Sequence, residues 1–566
     1  MAKRYRRVER DQVFLFPPSM RDWLPAGHPV WLVIRAVERM DTGPFHDRRK
    51  LGGAGAPGYD PDMLVTVLTW AYAHQIASSR RIEQLCQTDV AFRVICGGNL
   101  PDHTTIARFR GEFAGAAAAF FAEVLGLCAQ LGMGRLGVVA LDGTKIAASA
   151  SKSANRAEDR LRKIAAETVA AHARTDAEDD ELFGPGNRGD EVPGDAWSPR
   201  SRDERIAAAL RSLREEREAA EAARRQQAAG YLDKAAAGDR PRGRPPAGAD
   251  VTAAQIRLNQ ATAAQQAKIG DWERRQAAKI AATGTGQRAR RPVPAGEHFA
   301  VRLATAELDK ALARAAGNQD NDHAPVRNVT DPDSRLMPVR GGGFIQGYNA
   351  QNVVSEDGLI IATTLTRDTG DVAWLTPMMA AAQAAAAFIT ARRPTGGDGH
   401  SGSGSGSHDD NHSDAWRAAG YQPAENSSYA GPIGLFLADA GYCSEDNIAA
   451  GGPPRLIATG KRRDLEKTAH RTPGRTATSG GPHTTAMAAA LATDDGITAY
   501  RHRGHISETP HGDIKHNKRF RQFSLRGLAK TSSEWQFTTA TTNLFKAITS
   551  GHLTHAALDN LATPAS

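Results

Sequence analysis

A short apolar run ending on a carboxylate restricts this chain more than its bulk properties do. Val138-Val-Ala-Leu141 is continuous and bounded by glycine, which predicts a strand buried on both faces, at the centre of a sheet covered by helices. It delivers Asp142, then Gly143 and a second strand-like piece, Ile146 to Ala148. A carboxylate at the end of a buried strand is costly unless paired, and a metal ion is the common partner. The other reading is a turn aspartate ahead of a hairpin glycine. The theme returns at Ile433-Gly-Leu-Phe-Leu-Ala438-Asp439-Ala-Gly441, where a buried-type strand again ends in a carboxylate and a capped helix start follows.

Residues up to about 135 read as all-helical. Pro61 opens a helix with Leu64, Val67, Leu68 and Ala71 at helical spacing, and Ile82, Leu85 and Cys86 continue the pattern in a second. Asp102 or Thr104 is expected to cap a helix with the stripe Ile106, Phe109, Phe113, Phe120, Val124 and Leu127. Arg108 and Arg110 near its start suit a helix-turn-helix on DNA, although a plain helical hairpin has the same pattern. Residues 152–325 are rich in Ala, Arg and Glu and predict a helical, partly flexible insertion. Within it, Arg242-Gly-Arg244-Pro resembles an AT-hook, a minor-groove peptide, and reads equally as a basic hinge.

Order returns with a predicted hairpin, Phe344 to Val354 and Leu359 to Leu365, and Asp371 then precedes an Ala-rich helix. Val372 to Ala391 is long enough to span a bilayer, but its alanines, Pro377 and Gln383 predict a soluble helix. A Gly/Ser-rich linker covers 395–412, and Leu456 to Thr459 is a further strand. Near the end, Ser507 is expected to cap a helix carrying Glu508, with Pro510 in its first turn. His502, His505, His511 and His516 crowd this block without a cysteine or an i, i+4 pair, so they are expected to face DNA or solvent rather than zinc.

Net charge of +8 favours polyanionic partners, and four cysteines without metal-ligand or disulfide spacing fit a reducing cytoplasm. The charged start, with no apolar stretch behind it, predicts no signal peptide. Two strand-end aspartates and a later helical glutamate suggest an RNase H-like core holding two divalent ions for in-line phosphoryl displacement. The expected fold is α+β or α/β: an RNase H-like mixed sheet with flanking helices, interrupted by a long helical insertion and preceded by an all-α N-terminal domain. The expected boundaries are 1–135 for the N-terminal domain, 136–151 with 326–550 for the catalytic domain, and 152–325 for the insertion.

Taken in order, Gly58-Tyr-Asp-Pro61, Pro101 to Arg110, Leu141-Asp-Gly-Thr-Lys145, Asp331-Pro-Asp-Ser-Arg335, Gly347-Tyr-Asn-Ala-Gln351, Ala438-Asp-Ala-Gly-Tyr442 and the Glu508 block carry a likeness. With them the chain resembles the DDE transposases of bacterial insertion sequences. The resemblance implies a catalytic and metal-binding triad of Asp142, Asp439 and Glu508 with two Mg²⁺ or Mn²⁺ ions. It further implies double-stranded DNA partners (element ends and target), a homo-oligomer on DNA, no membrane, and a cytoplasmic, nucleoid-associated protein. Expected DNA contacts are Arg108, Arg110, Lys145, Arg242, Arg244, Arg503 and Lys515. Related transposases carry Tyr-x2-Arg-x3-Glu-x6-Lys; Tyr500, Arg503, Glu508 and Lys515 match it, except that Glu508 follows Arg503 by five residues instead of four. That departure questions Arg503 more than Glu508. The rival third acids are Asp513, Glu534 and Glu445, and Lys515 reads either as a phosphate ligand or as a solvated cation. The function readings left beside a transposase are an inactive DNA-binding derivative and a metal-dependent nuclease without strand transfer.

Overall fold

Residues Val138–Ala147 form one unbroken strand, β1, paired antiparallel along nearly its whole length with β5 (Phe344–Ser355). The structure is a computed structural model and describes residues 19–47, 58–112, 115–167, 202–238, 246, 249–286, 290–317, 326–339, 342–394, 429–460 and 481–561. The expected break after Asp142 does not occur. Gly143 stays in the ladder opposite Gln351, because β5 is long enough to satisfy the backbone on both sides of it. What ends there is the other neighbour: β7 (Leu435–Ala438) runs parallel to β1 only from Val138 to Leu141. β8 (Arg455–Ile457) pairs parallel with β7, while β6 (Ile360–Thr366) and β4 (Arg335–Pro338) share the far edge of β5. The result is a mixed sheet, antiparallel through β6, β5 and β1 and parallel from β1 through β7 to β8.

Alternation along β1 sets the two faces. Val139 and Leu141 enter one apolar core with Phe436 and Ala438 of β7, whereas Val138 and Ala140 enter a second core with Leu435 and Leu437. The first core is covered by α1 (Pro29–Glu38), α2 (Pro61–Ala73), α3 (Ser79–Thr88), α4 (Val90–Cys96), α5 (His103–Gly111), α6 (Ala116–Gln130), α7 (Leu375–Arg392) and α10 (Leu528–Thr549). The second is covered mainly by α8 (Pro482–Leu491) and α9 (Asp494–Gly512). The helices before residue 135 therefore share a core with the sheet instead of closing one of their own; Phe120 of α6 stacks on Phe537 of α10 at 5.0 Å. The stripe from Ile106 to Leu127 is divided between α5 and α6, not carried by one helix, and Gly115 at φ +89° starts the second. Among the described residues α7, with the turn Val372–Trp374 before it, is the one helix long and apolar enough by itself to cross a membrane. Its Leu375, Met378, Met379, Ala382, Ala386 and Ile389 are buried in the core at helical spacing.

Contacts divide the chain into two units, Met1–Ala154 with Asp333–Ser566, and Asn155–Pro332. In the second unit, β2 (Asn155–Ala157) and β3 (Val326–Asn328) form an antiparallel ladder that joins its two ends. Long helices Arg202–Ala236, Asp250–Thr283 and Phe299–Gly317 make up most of the rest. Among the described residues a small apolar cluster sets Leu161 and Ile164 against Ile206, Ala209 and Leu213 of the first of these helices. The AT-hook-like Arg242 and Arg244 and the 395–412 linker lie outside the described residues.

Candidate active site

Beyond Leu141 and Ala438 the parallel pair β1–β7 stops, and the next residue of each strand is an aspartate. Asp142 accepts from the Gly143 amide at 2.9 Å, and Asp439 accepts from the Gly441 amide at 2.8 Å as the N-cap of a 3₁₀ turn, Ala440–Tyr442. Burial pushes both carboxyls above the ordinary carboxylate range. For Asp439 the charge of Asp142 adds to the effect, and for Asp142 the nearby Arg503 opposes it. Among the described residues Arg503 is the ion-pair partner of Asp142, with Nη1 3.5 Å from Oδ2.

Arg503 comes from α9, which begins earlier than the Ser507 cap predicts. The helix starts at Asp494 with Thr493 as its cap, its hydroxyl accepting from the Gly496 amide at 3.0 Å. Ser507 and Pro510 lie in its second half, and a π-helical turn, Asp513–Asn517, follows. The signal for the true start is Thr493-Asp494-Asp495, a capping residue followed by two first-turn acids. Tyr500 donates to the Ala438 carbonyl at 3.1 Å and so fixes α9 against the end of β7. One and two turns on, Arg503 and Ser507 meet Asp142, the Ser507 hydroxyl lying 3.3 Å from Oδ2. The spacing departure thus does not keep Arg503 away from the site. Glu508 is exposed, one residue beyond Ser507, with Arg503 and His511 in its field. Lys515 lies within electrostatic range of Asp142 and Lys145, and burial lowers its pKa.

His511, expected at DNA or solvent, is buried. Asn352, opposite Asp142 in the ladder, donates its amide to His511 Nε2 at 3.0 Å. The Asn352 orientation is fixed because Thr363 donates to its Oδ1 at 2.6 Å and Trp535 donates to Thr363 at 2.7 Å. A protonated imidazole would turn N–H toward N–H, and burial with Lys515 nearby holds the pKa of His511 down at about 4. Since about 4 is below the unfolded 6.5, stability from the neutral ring is full above about 6.5 and is lost as pH falls toward 4. His511→Gln, which keeps an acceptor, is expected to spare about 2–3 kcal/mol of the loss that the wild type suffers between pH 7 and 4.5. Urea unfolding of both proteins at the two pH values measures this; identical losses would exclude His511 as the titrating group.

The rival third acids are engaged elsewhere. Glu534 is fully buried and accepts from the backbone amides of Ser524 and Leu525. Glu445 accepts from the first amides of α8, His483 and Thr484, at 3.1 and 2.9 Å. Asp513 pairs with Lys518 and Asn517. The carboxylate that sequence reasoning passes over as a helix-flanking residue is Asp371, just before α7. It accepts from Asn349 at 2.7 Å, Gln351 at 2.8 Å and Lys145 at 3.3 Å, and its charge reaches Asp142 and Asp439. No local spacing marks it, since its neighbours come from strands far apart in the chain.

Among the expected DNA contacts, Arg108 is exposed on α5, while Arg110 requires correction. Arg110 is buried, donating to the Ala77 carbonyl and to the Ser79 hydroxyl, beside Tyr72 and Glu534. Its position two residues on places it on the core side of the helix that Arg108 faces away from. Lys145 is bound to Asp371, and Arg503 to Asp142.

The donor set suits a hard divalent cation. Two part-buried carboxylates are costly to ionise, Asp142 by its charge raising the cost for Asp439 and Asp371 raising it for both, one guanidinium answers them, and the fully buried Asn349 Oδ1 has no hydrogen-bond donor. A family model described as Transposase domain (DUF772) matches residues 18–112, and one described as Transposase DDE domain matches residues 467–548. The second match spans α8, α9 and α10 with Glu508 and Lys515, and a DDE domain implies dependence on a divalent metal. No curated protein and no solved structure matches the chain.

Proposed function

We propose that the chain, whose two transposase family-model matches support a DDE-type transposase of the insertion-sequence kind and an enzyme of the polynucleotidyl transferase and nuclease class, binds the ends of its element, cleaves the DNA and joins it to a target. The observation that carries this reading is the pair Asp142 and Asp439, one residue past the last paired positions of adjacent parallel strands. The strand order and the helices on both faces support an RNase H-like assignment for the sheet.

We assign Asp142, Asp439 and Glu508 as the acids that hold two Mg²⁺ or Mn²⁺ ions. Held there, such ions would supply Lewis-acid activation of a water or 3′-hydroxyl and charge stabilisation for the leaving oxygen of an in-line displacement. The chain's own groups hold the geometry. Tyr500 anchors α9 at the end of β7, Ser507 orients Asp142, and Arg503 supplies the cation that opposes the cost of ionising Asp142 in its part-buried setting. Lys515 and Lys145 are suited to the scissile-strand phosphates, and Arg108, Arg242 and Arg244 to other DNA phosphates, where each contact contributes salt-dependent affinity. Work on two ends calls for a homo-oligomer on DNA, in the cytoplasm where the DNA lies.

The test incubates purified protein with element DNA, flanking sequence, target and Mg²⁺, then sequences the products. Joined products are expected from the wild type, and cleavage without joining would leave a nuclease. Glu508→Gln is expected to keep end binding and to lower joining by about 10²-fold or more. Joining at the wild-type rate would remove Glu508 from the triad.

A further inference from the structure

We propose that Asp371 is a fourth carboxylate of the metal site, anchored through Oδ1 and offering Oδ2 to the cation beside Asp439; this rests on the two-metal reading above. Three donors converge on one oxygen: Asn349 Nδ2 at 2.7 Å, Gln351 Nε2 at 2.8 Å and Lys145 Nζ at 3.3 Å from Oδ1. Among the described residues no hydrogen bond reaches Oδ2. A carboxylate that only tied its loop to the sheet would be expected to use both oxygens.

The direction of Oδ2 follows from the glycines beside it. A Cβ placed on Gly441 would lie 3.0 Å from Asp439 Oδ1 and 3.2 Å from Asp371 Oδ2, so the two carboxylates flank the same small space. A Cβ on Gly143 would lie 2.7 Å from Gln351 Nε2 and 3.0 Å from Asp371 Oδ1. Both glycines that follow the strand-end aspartates therefore leave room for Asp371 and its anchors. A second observation points to a ligand. Asn349 is 0 % exposed, its amide nitrogen is taken up by Asp371 and the Asp368 carbonyl, and its Oδ1 has no donor. That oxygen lies 3.2 Å from the same Gly143 position, a buried acceptor in a cluster where three acids face two cations, Arg503 and Lys145.

The position in the fold also suits the role. Asp371 arrives from the face covered by α7, opposite the face from which α9 brings Arg503 and Ser507. Past Ala438 no β7 residue separates the two faces, so acids from both sides reach one site.

Mn²⁺ binding to the full chain without DNA, followed by calorimetry and by the loss of free-Mn²⁺ paramagnetic signal, tests the proposal. Asp371→Asn keeps the shape and most of the anchoring and is expected to weaken Mn²⁺ affinity about tenfold or more. Lys145→Met disturbs the same anchor without removing an acid and is expected to bind Mn²⁺ at least as tightly as the wild type. If Asp371→Asn does not fold, Asp371→Glu, which retains the charge on a longer arm, should still show an altered affinity. Wild-type affinity in Asp371→Asn, with Asp142→Asn impaired, overturns the proposal and leaves the two-metal reading standing. Equal weakening by Lys145→Met and Asp371→Asn overturns it in favour of an anchor. Wild-type affinity in both Asp142→Asn and Asp371→Asn overturns the proposal together with the reading beneath it.

Discussion

Asp439→Asn is expected to retain binding to element-end DNA while cleavage and joining fall about 10³-fold or more, roughly 4 kcal/mol of transition-state stabilisation. The amide oxygen can still cap the turn through the Gly441 amide, so local structure survives. What disappears is one of the charges that offset a divalent cation. The same variant is expected to melt higher than the wild type in metal-free buffer at neutral pH. Burial and Asp142 raise the folded pKa of Asp439 above its unfolded value, so its ionisation opposes folding as pH rises through that raised value. The gain should shrink as pH falls and the wild-type carboxyl takes up its proton. Cleavage and joining in Mg²⁺, with melting in chelator, are measured on one preparation. Cleavage near the wild-type rate would remove Asp439 from the mechanism, and a lower melting temperature would contradict the electrostatic account.

Arg110→Ala is expected to cost about 3 kcal/mol or more of stability, whereas Arg108→Ala costs under about 0.5. Arg110 closes a buried network in which its hydrogen bonds hold the turn before α3 and its charge faces Tyr72 and the fully buried Glu534. Removing the guanidinium leaves that carboxyl without a cation in a setting that already raises its pKa by burial. Denaturant unfolding reads the difference. DNA affinity, measured where both variants remain folded, is expected to drop for Arg108→Ala and to hold for Arg110→Ala. The reverse ranking would return Arg110 to the DNA interface.

Local pattern reveals the strands well and the long-range partners poorly. The runs at Val138 and Leu435, and the hairpin from Phe344 to Thr366, are apolar or alternating in ways that only a sheet can use, so the amino-acid order by itself makes them legible. Gly143 misleads, because a glycine after an aspartate reads as a turn unless its partner strand is known. Arg108 and Arg110 look alike in sequence, and only the packing of α5 toward Tyr72 and Glu534 separates them. His511 escapes notice for a similar reason: its acceptor role depends on Asn352, Thr363 and Trp535, which no spacing connects. Asp371 is visible in the sequence only as a residue ahead of a helix.

The ladder between β2 and β3 bears on how the sheet can assemble at all. Aligning β1 with β5 requires closing a stretch of roughly two hundred residues, whose entropic cost grows with the logarithm of its length. Once Asn155–Ala157 pairs with Val326–Asn328, the stretch that the sheet must close is roughly twenty residues, a reduction of about 2 kcal/mol. A clasp of three residue pairs thereby makes the topological distance between Asp142 and Asn352 short. Length can accumulate inside the clasp, in alanine-rich helices, without shifting the register that sets the acids side by side.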